Sequence, residues 1–193
     1  MKKLILKASL VLFLSTVFFS CNKDDDSGPS YQEENFFDNF LIATGFNQKE
    51  VIKLNSGTYE SGLEFAPLVN GSITSLRFKS PAINPSTRIT IWDKSTGAVI
   101  KTEIVNVAIA DHVYDVDIID IPLIKDKVYA ISFNSDDWYE RRKTDETDAA
   151  YPITVGNIKV LTYIWKSGTT QGYPTNVSSS YIAGDLSFNF LQQ

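Results

Sequence analysis

The chain has 193 residues, with 18 Lys and Arg, 23 Asp and Glu, one His and one Cys, for a net charge of −5. An acidic chain without a basic cluster repels phosphate backbones, which sets nucleic-acid binding aside. One cysteine permits no internal disulfide, and with a single histidine there is no Cys and His set for structural zinc.

The chain opens on Lys2, Lys3 and Lys7, followed by an uncharged apolar run from Ala8 to Phe19. A helix crossing a hydrocarbon core about 30 Å thick needs roughly 20 apolar residues, so this run is too short to span. Residues 1–20 are expected to be an export signal that is removed. Phe18-Phe19-Ser20-Cys21 resembles a lipobox, with Cys21 expected to carry the lipid, although Phe18 stands where Leu is usual. Loss of the three lysines leaves 15 basic residues against 23 acidic ones and moves the net charge to −8. Residues 21–30 hold no hydrophobe beyond the cysteine and read as an acidic tether. The Lys23-Asp24-Asp25-Asp26 run also resembles the address that sends some lipoproteins of Gram-negative bacteria to the outer face of the outer membrane. No basic amphipathic stretch is present to bind headgroups, so membrane attachment is expected to rest on the lipid alone.

Residues 31–193 are long enough for a single domain with a real core. The chain's 12 Phe, 9 Tyr and 3 Trp supply the bulk of it. Ser30 and Glu33 have the spacing of a capping box ahead of Phe36, Phe37, Phe40 and Leu41. That segment forms a short helix or lies extended along the domain.

Everything afterwards alternates with period two and breaks every eight to twelve residues, the pattern of a sandwich or barrel. Leu63 and Phe65 oppose Glu64, and Val69-Asn70-Gly71 is expected to turn a hairpin. Leu76 and Phe78 alternate with Arg77 and Lys79, and Ile89 and Ile91 with Arg88, Thr90 and Trp92. Lys94 to Gly97 turns the chain into a strand from Val99 to Val107. Tyr114, Val116 and Ile118 oppose Asp115 and Asp117. Lys127 to Phe133 is apolar on both faces, as a central strand covered on each side would be. Asn157 to Trp165 and Leu186 to Phe190 complete the set. The expected fold is all-β, an antiparallel β-sandwich of jelly-roll-like kind with about eight to ten strands.

Four segments in order resemble a known family. They are Tyr59 to Phe65 with Asn70 to Phe78, Thr90-Ile91-Trp92-Asp93, the Thr96-Gly97 turn, and Val128-Tyr129-Ala130-Ile131-Ser132. Together they are similar to the domain of unknown function 4082 family, over about residues 59–139. The resemblance implies a β-sandwich attached to secreted or surface proteins, including carbohydrate-active ones, and it implies no catalytic residues.

The chemistry-bearing residues point the same way. Nucleophilic catalysis wants a base beside its nucleophile. The one histidine, His112, falls in register with the buried-looking face of Tyr114, Val116 and Ile118. Asp115 and Asp117 lie about 7 Å apart along one strand face, which any exposed strand gives. With Asp111 or Asp120 they could bind a structural calcium, though no Asp-x-Asp-x-Asp-Gly loop is present. No cofactor site and no catalytic set is read from the sequence.

The most suggestive stretch runs from Asn134 to Arg142 and is expected to be a long loop at one end of the sandwich, where such folds place binding residues. Trp138 and Tyr139 offer flat apolar faces, while Asp136, Asp137 and Arg141 can hydrogen-bond hydroxyls. Trp138 either faces a ligand or plugs the core, and Arg142 solvates the loop. Trp165 and Tyr173, around the Ser167 to Thr170 turn, read as structural first and as binding residues second. Trp92 reads as structural. The expected function is a non-catalytic ligand-binding module, for glycan first. A structural or adhesive role toward envelope proteins is the alternative.

Overall fold

A computed structural model describes residues 30–193, and Tyr31–Gln193 form one compact unit. The export signal, Cys21 and the acidic tether lie outside the described residues. The elements in chain order are β1 (Glu34–Asn35), α1 (Phe37–Thr44), β2 (Lys49–Lys53), β3 (Tyr59–Pro67), β4 (Gly71–Lys79), β5 (Asn84–Asp93), β6 (Ala98–Val107) and β7 (Val113–Leu123). They continue with β8 (Tyr129–Ser135), β9 (Trp138–Arg142), β10 (Ile153–Val155), β11 (Ile158–Ser167), β12 (Asn176–Ser178), β13 (Tyr181–Ala183) and β14 (Asp185–Gln192). The fold is an antiparallel β-sandwich.

The large sheet runs β10-β11-β3-β8-β5-β6, with β12 also on β11. A smaller sheet, β1-β14-β4-β7, packs on it, and a third of three strands, β13-β9-β2, completes the domain. The alternating residues meet between the first two sheets. Phe65 of β3 lies 4.6 Å from Phe188 of β14, and Phe78 of β4 lies 5.2 Å from Phe133 of β8. Such ring pairs add to the apolar area they bury, so these two contacts tie the sheets face to face. Strand β8, paired with β3 and β5, is buried along nearly its whole length, as its two-sided apolar pattern requires.

Four readings of the sequence are corrected. Six strands of two to five residues raise the count to 14, because runs that short carry too few alternations to register. The Asn70-Gly71 turn is not a hairpin: β3 and β4 belong to different sheets, and the turn carries the chain from one to the other. Asn70 Oδ1 accepts the Lys125 N–H at 2.8 Å, so its side chain fixes a distant loop. The helix forms, but without the Ser30 box. It starts after Phe36, and Asn35 Oδ1 accepts the Phe37 N–H at 3.1 Å. His112 is exposed beside β7, its ring edge-on to Tyr114 at 4.9 Å, and does not continue the buried face.

Candidate functional site

The segment expected to be a loop is a turn followed by a strand. Asp136 and Asp137 make the turn: the Asp136 carbonyl accepts the Ser56 N–H at 2.9 Å, and Asp137 Oδ1 accepts the Asn55 N–H at 2.8 Å. Asn55 has a φ of 48°, a left-handed conformation that this bond helps to hold. The Asp137 carboxylate is thus occupied with backbone, while Asp136 holds the turn through its own carbonyl. Residues 138–142 then form β9, the centre of the three-stranded sheet. Its charges hid it in the sequence, because they pair across the sheet and not with water.

Alternate residues of β9 face opposite ways. Tyr139 and Arg141 point toward β4 and β14. The Tyr139 hydroxyl donates to Asp111, with Lys79 4.6 Å above its ring, and burial pushes its phenol pKa up. Arg141 forks onto Asp185 and also reaches Glu50 at 2.8 Å. The Asp185 carboxylate beside it holds the guanidinium charged. Both residues sit on a strand and not on the expected loop, and Arg141 with Asp185 lines a separate cleft of about 270 Å³.

Trp138 and Glu140 face the other way, over the end of the large sheet that the smaller sheet leaves uncovered. There Ser61 opposes Trp165 in the β3–β11 register, and Tyr59 opposes Ser167. Between these surfaces is a cleft of about 300 Å³ lined by Lys53, Tyr59, Trp138, Glu140, Trp165 and Tyr181, among others. Tyr59 is the hub. Trp138 meets it edge-on at 5.4 Å and Trp165 at 5.8 Å. Trp138 is only 9% exposed, whereas Tyr59, Trp165 and Tyr181 are half-buried and present part of their rings. The Trp138 Nε1–H is buried with no acceptor among the described residues. A buried donor left unmade costs roughly 1–3 kcal/mol, so an acceptor supplied there is favoured. Behind the rings, Tyr163 is fully buried and its phenol pKa is pushed up by that burial.

Two of the binding candidates, Trp138 and Trp165, therefore come together, and five do not. Lys53, Tyr59, Glu140 and Tyr181 were missed. The signal for Tyr59 was its register with Ser61 and Leu63 on the inner face, whereas nothing local marks Lys53 or Tyr181.

Tyr173 belongs to a different place. Residues 168–175 lie across the outer face of the large sheet, and their contacts explain why Glu60 and Glu64 are buried there. Tyr173 packs edge-on to Trp92 at 5.8 Å and donates its hydroxyl to Glu64 at 2.7 Å. Trp92 Nε1 donates to Ser132 Oγ at 2.8 Å, and Ser132 Oγ donates to Glu60 Oε1 at 2.7 Å. Arg88 Nη2 meets Glu60 at 2.7 Å and also donates to the Thr169 carbonyl at 3.1 Å. Through Tyr173 and Thr169 this network fastens the 168–175 segment to the sheet. Trp92 is structural, as read from its strand.

The calcium reading loses its geometry. Asp111 takes the Tyr139 hydroxyl and Asp115 pairs with Arg77 at 3.8 Å. No three His, Cys, Asp or Glu side chains come together to hold a metal among the described residues. A scan of protein-family models and a search of curated proteins each found no match to this chain.

Proposed function

We propose that this protein is a lipoprotein, anchored through Cys21 at the outer face of the outer membrane, whose β-sandwich binds glycan without catalysis. The observation that carries the binding reading is the cleft itself. Half-buried rings of Tyr59, Trp165 and Tyr181 present apolar surface beside Lys53 and Glu140, which can bond hydroxyls. Sugar rings need that pairing of a flat apolar face with polar groups at its edge. Concave sites that combine ring faces with a few convergent polar groups are where proteins seat small ligands. The resemblance of residues 59–139 to a family found on surface and carbohydrate-active proteins supports the same reading. A glycan array probed with the full-length protein in detergent tests it. Trp165→Ala should reduce binding to any sugar hit by more than about 1 kcal/mol, as loss of an aromatic anchor does. An array without hits would reject the reading.

The alternative, a structural or adhesive envelope protein, is favoured by one observation. Among the described residues no strand pairs with the outer edge of β6, which exposes Val99, Ile100 and Ile104. An edge of this length with apolar residues is a template for another strand. Loss of envelope partners on Ile104→Lys, with glycan binding unchanged, would favour it.

A further inference from the structure

Lys53 and Glu140 line the aromatic cleft, and with Lys49, Arg142 and Glu146 beyond it they make a cluster of three cations and two carboxylates. Lys49 lies 3.1 Å from Glu146, Arg142 lies 3.2 Å from the same carboxylate, and Arg142 also contacts Glu140. Lys53 approaches Glu140 at 3.7 Å, which is beyond hydrogen-bond distance. Glu140 stands between Arg142 and Lys53, and the three cations of this cluster outnumber its two carboxylates by one. The Lys53 side chain is 35% exposed and lines the cleft, so its ammonium stands where a guest can reach it. The other strong cation nearby, Arg141, is on the opposite face of β9 and fully engaged with Asp185 and Glu50.

We infer that the sugar taken by this cleft carries one anionic group, of the uronic acid type, and that Lys53 Nζ meets its carboxylate. This rests on the glycan reading above. At about 300 Å³ the cleft lies at the lower end of ligand-pocket sizes, which suits one sugar ring better than a chain segment. One ammonium balances one carboxylate, and a hydrogen bond between charged partners is roughly twice as strong as a neutral one. The net excess of positive charge is local, since the chain as a whole carries −5. An acidic ligand would be repelled by much of this acidic protein's surface, and Lys53 offsets that repulsion within the cleft. The rings of Tyr59 and Trp165 would take the apolar face of the sugar.

Titration of the full-length protein in detergent with glucuronate, galacturonate and their neutral parents glucose and galactose, followed by calorimetry, tests this. The uronates should bind about 10-fold or more tightly than the neutral sugars, a gap of about 1.4 kcal/mol. Lys53→Gln should erase that gap while leaving the melting temperature in place, and added salt should narrow it. Equal affinity for the acidic and neutral sugars, or a preference that survives Lys53→Gln, would overturn the inference. If neutral sugars bind as well as uronates and Trp165→Ala abolishes both, the glycan reading stands and only the acidic preference falls. If none of the four sugars binds, the inference falls, and the glycan array decides the broader reading.

Discussion

Trp138 stands edge-on to Tyr59, with ring centroids 5.4 Å apart and planes at 82°, and with the Tyr163–Tyr181 pair this contact joins the three-stranded sheet to the end of the large one. Tyr59 belongs to β3 and Trp138 to β9, so the wall of the cleft is also a joint of the fold. Binding and stability are coupled at Trp138 and separable at Trp165.

Trp138→Ala should therefore cost about 3–5 kcal/mol of stability, the range for removing a buried aromatic, and weaken ligand binding as a consequence. Trp165→Ala, at a half-buried position, should cost less stability and at least as much binding. Urea unfolding of both variants beside the calorimetry decides it. An unfolding midpoint unchanged in Trp138→Ala would show that the ring is not part of the core.

The Glu60 carboxylate is wholly buried against Arg88, whose side chain is 21% exposed. Removing one partner of a buried pair leaves an uncompensated charge, at about 3–5 kcal/mol. Arg88→Met should fall in that range, and it should also loosen residues 168–175, which lose the Arg88 bond to Thr169. Glu60→Gln with Arg88→Met should recover part of the loss. A double variant worse than the sum of the singles would contradict this account.

Alkaline pH should unfold the domain through its tyrosines. Burial is the leading cause of raised phenol pKa values at Tyr139, Tyr151, Tyr163, Tyr173 and Tyr181, all above the ordinary value of 10.0. Each phenol holds its proton longer folded than unfolded, so their stabilisation is whole below pH 10 and falls as pH rises past it. In a spectrophotometric titration these five of the nine tyrosines should ionise late, together with loss of the β-sheet signal. Nine tyrosines ionising together near pH 10 with the fold intact would refute the burial argument.

Cys21→Ser should leave the protein without lipid, because its thiol is the single acylation site that the sequence offers. Metabolic labelling with a tagged fatty acid reads this directly, and label persisting on the variant would remove the lipoprotein assignment. If Lys23 to Asp26 is a surface address, added protease should digest the wild type on intact cells and spare a variant with alanine at those four positions. Equal digestion of both would make the run a plain spacer.

The sandwich was legible because its long strands alternate. Leu76 with Phe78, Ile89 with Ile91 and the two-sided run to Phe133 each declare a buried face within a few residues. β9 was not legible, since Trp138-Tyr139-Glu140-Arg141-Arg142 shows no apolar alternation. Both its faces are covered, one by the cleft wall and one by β4 and β14, so polar and aromatic residues sit on each. Glu60 and Glu64 were misleading in the same way: their alternation with Leu63 and Phe65 suggests water, and the 168–175 segment supplies protein in its place.

The sequence by itself determined the fold class, the apolar faces and the acidic, disulfide-free character of the chain, because these follow from local period and composition. Only the tertiary structure decided which residues form the cleft. Lys53, Tyr59, Trp138, Trp165 and Tyr181 come from five strands of two sheets. Their meeting depends on the large sheet extending past the smaller one and on three short strands closing over that end. Register between distant strands, and not any run of neighbouring residues, sets that arrangement.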